Sequence, residues 1–179
     1  AGQPRLDGGS DGRFALVYVA GENAVGAINT ISYADAQWES PSPVMDNGAR
    51  PDIFLDAQDE IHLAWCSDDN EVRYAGMEGS QTISTLSCGS RPEIARDGQG
   101  TLHIIWFGDL VVDVNGRTQP QNLLYESTYT NNSWSDPAII SYTSTATQPS
   151  TAATESNLHL VWHNTLSGEI DIAYTSFVP

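Results

Sequence analysis

LHIIW (residues 102–106) decides the fold, because the same five-residue pattern is written three more times, as FALVY (14–18), IHLAW (61–65) and LHLVW (158–162). Each copy is an apolar run of strand length that ends in an aromatic residue. Working outward, each is preceded by a turn, GGSDGR, DAQDE, RDGQG or ATESN, carrying the Asp, Gly and Asn that hairpins use. Ahead of each turn stands a proline that opens a strand: Gln3-Pro4, Arg50-Pro51, Arg91-Pro92 and Gln148-Pro149. Behind each aromatic comes a third strand, ISYAD, VRYAG, LLYES and IAYTS, whose Tyr33, Tyr74, Tyr125 and Tyr174 read as one register position.

Successive prolines lie 47, 41 and 57 residues apart, a period that suits one four-stranded blade of a β-propeller. The expected fold is therefore all-β, a single domain of four antiparallel blades at approximately 1–46, 47–87, 88–141 and 142–179. Such a chain should show at least about nine strands of roughly three to eight residues and no helix longer than about two turns. Tyr18, Trp65, Trp106 and Trp162 should be buried between blades, with Leu63, Ile104 and Leu160. The fourth repeat stops after its Tyr strand, so its blade lacks an outer strand and leaves an unpaired edge. Three forms follow: a fragment of a larger propeller, a ring completed by association with further blades or a second copy, or a compact ring with one incomplete blade.

Composition agrees with short strands joined by turns: 179 residues with 15 Gly, 9 Pro, 5 Trp and 7 Tyr. No run of about eighteen apolar residues exists, so no membrane-spanning segment is expected. The N-terminal AGQPRLDGG is neither basic nor apolar enough for a signal peptide and fits the start of a mature or trimmed chain. Acidic residues number 23 against 7 basic ones, all arginine, for a net charge of −16. That charge repels phosphate backbones and anionic lipid and disfavours nucleic acid as a partner. It fits an extracellular or cell-surface setting. Cys66 and Cys88 sit on neighbouring repeats, and the sequence leaves both a disulfide and two buried thiols open. His62, His103 and His159 share one repeat position, which spreads them over successive layers, too far apart for one metal; satisfaction by backbone carbonyls is the expected role. No dedicated metal or cofactor motif is present: the DAQDE run and Asp68-Asp69 lack alternating oxygen ligands and read as surface turns.

The chain resembles the sialidase-like propellers with BNR, or Asp-box, repeats. The pattern is Pro, apolar strand, Asp-x-x-Gly-like turn, Leu-His-x-x-Trp, Tyr-x-Ser and Trp-Ser-x-Pro, seen most fully from Arg91 to Pro137. The Asp box has a degenerate match from Ser127 to Trp134, with its Asp and Gly lost, and a shortened one ending at Trp38. The resemblance implies three arginines for a substrate carboxylate, an acid/base Asp, and a Tyr nucleophile with a Glu partner. No such catalytic set can be picked out in this sequence. A non-catalytic recognition module for a glycan or protein ligand is therefore expected, with part of a sialidase-like glycoside hydrolase, its other catalytic residues outside this chain, as the alternative.

The candidate binding face follows from propeller geometry, in which the entries to the innermost strands and the loops after the Trp strands open on one side. The spans from strand aromatic to third-strand Tyr are 15, 9, 19 and 12 residues, and the longest reads FGDLVVDVNGRTQPQN, with VNG as a turn tip. Arg50 and Arg91 enter their strands at equivalent positions and suit bidentate capture of a carboxylate, with Asp109, Asp113 and Arg117 on the long loop completing the candidate set. The competing role for the two arginines is pairing with nearby acids such as Asp52 or Glu93.

Overall fold

The computed structural model describes residues 2–21, 25–76, 79–114, 117–143, 149–154, 157–164 and 171–177; the side chains of residues 10, 110–121, 142–143, 164, 171 and 177 lie outside that description. The chain is an antiparallel all-β propeller arc. The first blade is built from β1 (Gly2–Gly8), β2 (Phe14–Ala20), β3 (Val25–Ala34) and the short β4 (Gln37–Trp38) folded back on β3. Its fourth long strand is the start of β5 (Ser42–Leu55), whose later residues are the innermost strand of the second blade, followed by β6 (Ile61–Ser67), β7 (Val72–Gly76) and β8 (Gly79–Ser84). The third blade comprises β9 (Glu93–Arg96), β10 (Leu102–Val114), β11 (Arg117–Thr130), the short β12 (Ser133–Trp134) and β13 (Ala138–Thr143). The fourth shows three strands among the described residues, β14 (Ser150–Ala153), β15 (Leu158–Asn164) and β16 (Asp171–Phe177).

β5 joins the first two blades without a break. Gly48 and Ala49 pair with Gly26 and Val25 of β3 on one side, and with Ser67 and Cys66 of β6 on the other. A Cβ on Gly48 would stand 2.5 Å from the Ile28 side chain and 3.0 Å from Trp65, so the close approach of the two blades requires glycine there. The ladder then shifts at Arg50, which takes a left-handed φ of 54° before Pro51, and Gln3 before Pro4 does the same at 54°. The prolines thus mark the bend where the chain enters an innermost strand, without donating to the ladder.

Three apolar layers separate the four blades. Ala15, Val17 and Ile28 pack on Leu63 and Trp65; Ala64, Val72 and Tyr74 on Ile104 and Trp106; Ile105, Phe107 and Leu124 on Leu160 and Trp162. Trp65 and Trp106 are wholly buried and Trp162 is 7% exposed. Tyr18, expected to match them, is only half-buried, because the face of the first blade that carries it is not covered by another blade among the described residues.

Two further expectations are corrected. The segment after Trp106, read as a long loop, is a continuation of the hairpin: β10 and β11 run 13 and 14 residues and stay paired from Leu102↔Tyr129 out to Val114↔Arg117, with the Asn115-Gly116 tip outside the described residues. These strands, with β3 and β5, exceed the expected length. The tyrosines also do not share one register. Tyr74 and Tyr174 are equivalent, standing opposite Ala64 and Val161, but the residue in that place of the third blade is Glu126, opposite Ile105. Tyr33, paired with Phe14, corresponds instead to Tyr129, paired with Leu102.

Cys66 and Cys88 form a disulfide with Cα atoms 5.7 Å apart, which settles the alternative that the sequence left open. It pins the connection between β8 and β9 to the end of β6.

Candidate functional site

Residues that follow the prolines converge at the axis. Arg5, Asp52 and Glu93 stand opposite Val17, Ala64 and Ile105, one repeat position in three consecutive blades. They line a cavity of about 240 Å³ together with Asp7, Arg96 and Thr151, so that β1, β5, β9 and β14 all contribute to its wall.

Arg5 links the blades: its Nε donates to Asp52 Oδ1 at 2.7 Å and its Nη2 to Glu93 Oε2 at 3.3 Å. The other oxygen of Asp52 accepts from the Ile94 amide at 2.9 Å, and the other oxygen of Glu93 from Arg91 Nε at 3.2 Å. Asp7 does the same between the first two blades, accepting from the Leu55 amide at 2.7 Å. Side chains of Asp52 and Glu93 are 4% and 3% exposed against 36% for Arg5, so two buried carboxylates are neutralised by cations reaching in from the rim. Burial and the adjacent Asp52 charge push the Glu93 carboxyl up to about 7, against the opposing pull of Arg5 and Arg91.

The sequence-derived candidates take different positions. Arg91 is held by Glu93. Arg50 donates to the Cys88 carbonyl at 2.8 Å, while its own amide donates to Gln3 Oε1 at 2.8 Å. Asp109 is exposed on β10 opposite Asn122. Asp113 and Arg117 stand farther out on the same hairpin with their side chains outside the described residues, as is the whole of Gln148. Arg5 was missed. Its signal was the column after the prolines, which reads Arg5, Asp52, Glu93 and Ser150, three charges at one offset.

A second polar constellation repeats at the opposite end of the strands. Asp56 Oδ1 accepts from the amides of Gln58 and Glu60 at 2.8 and 2.9 Å, and His62 stands 3.5 Å from its other oxygen while meeting the Tyr74 hydroxyl at 2.7 Å. Asp97, His103 and Glu126 repeat this in the third blade, with His103 Nε2 3.2 Å from Asp97 and Nδ1 2.7 Å from Glu126. The histidines are thus satisfied by side chains rather than by the expected backbone carbonyls, because the turn's Asp lies one strand end away. Asp56, Glu60 and His62 bring potential metal-ligand atoms within 4.8 Å of one another. The third blade builds the same turn with Thr101 in the place of Glu60, so capping the turn and fixing the imidazole account for the arrangement.

These groups set the pH response. Burial opposes the His103 charge, but Glu126 and Asp97 outweigh it and raise the pKa above 6.5. Burial likewise opposes ionisation of Asp97 and Asp56, yet the histidines and turn amides hold both below 3.8. Between its ordinary 4.5 and about 7, Glu93 binds more protons folded than unfolded, so stability falls as pH rises through that window. His103 extends the fall, its contribution being complete below 6.5 and lost as pH passes its higher folded value. The two aspartates add stability above 3.8 that is lost as pH drops through their lower folded values. Urea midpoints are expected to peak near about pH 5 and decline toward about pH 8, with the decline shallower in Glu93→Gln and in His103→Gln. Midpoints that rise steadily to pH 8 would contradict this assignment.

No family model matches the chain, and no curated protein matches it in sequence. Solved structures match its fold. An endo-1,4-β-xylanase from Bacteroides thetaiotaomicron superposes with a TM-score of 0.58 at 12% identity over 97% of this chain and 67% of its own. An α-L-arabinofuranosidase of Fusarium graminearum, solved with arabinobiose, gives 0.61 at 13% over 97% of this chain and 61% of its own. The Aleuria aurantia lectin, solved with Fucα1-6GlcNAc, gives 0.58 at 11% over 99% and 64%. The class established is the β-propeller, and this chain spans roughly two thirds of the length of each.

Proposed function

We propose that the protein is a glycan-recognition propeller that takes a sugar at its axial cavity. The observation that carries the reading is the saturated charge network at the axis: both oxygens of Asp52 and of Glu93 are already held by protein donors. Such clamped carboxylates make a fixed polar wall for hydroxyl groups and a poor pair for proton transfer. The cavity suits one sugar ring, and the carbohydrate chemistry named for the arabinofuranosidase and the fucose-bound lectin of like fold supports that ligand class. Arg50, Arg91 and Asp109 remain candidates for contacts around it.

The sialidase-like assignment belongs to the same proposal. Its support is a tight hairpin at the Asp-box position of two blades, turning through Asp35-Ala36 and Asn131-Asn132 with all four φ values between 52° and 61° and returning Trp38 and Trp134 onto Tyr33 and Tyr129. The Cys66–Cys88 disulfide supports an oxidising, extracellular setting. A glycosidase is the second reading, favoured by the raised Glu93 beside Asp52.

Calorimetric titration with arabinobiose, Fucα1-6GlcNAc and a sialylated trisaccharide separates the two. Recognition predicts saturable binding of at least one, weakened about tenfold or more in Arg5→Gln, with no release of reducing sugar. Sugar release that disappears in Glu93→Gln would replace recognition by hydrolysis, and absence of binding at millimolar sugar would remove the carbohydrate reading altogether.

A further inference from the structure

The junction between the second and third blades is made from two dissimilar faces. The face turned toward the preceding blade carries Trp134 in the third blade, and the face turned toward the following blade carries Tyr74 in the second; their rings meet edge-on at 5.0 Å. Among the described residues, each end of the arc leaves one face of this kind exposed. Trp38 is the counterpart of Trp134, since it pairs opposite Tyr33 as Trp134 pairs opposite Tyr129. It is 52% exposed, and with Leu6, Phe14 and Tyr33 it borders an apolar hollow of about 390 Å³. Tyr174 is the counterpart of Tyr74, with the same register and the same bond to a strand histidine, 2.8 Å from His159 where Tyr74 lies 2.7 Å from His62. It is 58% exposed, flanked by Ile172 at 67% and Val161 at 41%.

We propose that a second copy of this chain covers these faces, the fourth blade of one copy docking on the first blade of the next so that Tyr174 meets Trp38 as Tyr74 meets Trp134. The two end faces are complementary because they are the two halves of a junction that the fold already makes internally. Exposed apolar surface of this kind on a chain of net charge −16 points to a packed interface, since the rest of the surface is kept soluble by charge. The contact is heterologous, head to tail, and continues the repeat from one chain into the next.

Sedimentation velocity of the 179-residue chain at tens of micromolar, in about 0.5 M salt to screen repulsion between acidic copies, reads the assembly. The wild type is expected at twice the mass of one chain or a higher multiple. Trp38→Asp spoils one face and Tyr174→Asp the other, so each variant alone is expected to be monomeric. Mixed in equal amounts they retain one good face of each kind, and the mixture is expected to form a two-chain complex and stop there. Phe14→Asp and Ile172→Asp serve as a second pair, and circular dichroism confirms that every variant is folded. A monomeric wild type overturns the proposal, as when the natural cover is further propeller blades rather than a second copy. So does association lost in only one of the two variants, which marks a contact between like faces, or a mixture that stays monomeric.

Discussion

Replacing Trp106 with alanine is expected to destabilise the protein by about 3 to 5 kcal/mol, read as a fall in the urea midpoint with an unchanged slope. Trp106 is wholly buried in the layer between the second and third blades and stacks on Tyr125 with ring centroids 5.6 Å apart. Removing the indole leaves a void that flanking strands, fixed by their ladders, can only partly close. Its indole N–H has no acceptor among the described groups, so the loss is one of packing and leaves no polar partner stranded. Trp38→Ala in the isolated monomer is the contrast, since half of that ring already faces solvent. A loss below about 1 kcal/mol at Trp106 would mean that the layer between the second and third blades is loosely packed.

Changing both Cys66 and Cys88 to serine should cost about 3 kcal/mol, the loop-closure entropy of a segment of 22 residues. Both cysteines are changed together so that no single thiol remains. Beyond the entropy, the bridge holds Cys88 where its carbonyl receives the Arg50 guanidinium, so the variant should also loosen the entry to the third blade. Equal urea midpoints for the double variant and the wild type would show that the surrounding strands alone set that geometry.

The blades were legible because Pro, the apolar strand and its Trp each serve packing in every repeat, and packing repeats when the architecture does. The tyrosines misled for the opposite reason. Side chains alternate between sheet faces, so Tyr125 and Glu126 point to different blades, and aligning by residue identity selected the wrong one. The long segment after Trp106 hid its strand character behind turn-like residues, although the apolar run in Leu110-Val-Val-Asp-Val114 is what a strand uses. The axial network was harder still. Arg5, Asp52 and Glu93 differ in type while sharing a position, because one blade supplies the cation and the next two the anions. A search for a repeated residue passes over a site built by division of labour.

The shared strand β5 gives the arc an uneven grain. Gly48 and Ala49 hydrogen-bond to the first blade along one edge and to the second along the other, so neither blade can fray without breaking the ladder of its neighbour. Those two blades therefore open and close as one cooperative unit. Between the second and third blades no strand is shared; the apolar layer around Trp106, a covalent bridge and a few hydrogen bonds join them instead. Reduction of that bridge is expected to loosen the link between β6 and the entry to the third blade while the eight-stranded sheet and the apolar layer around Trp106 stay in place.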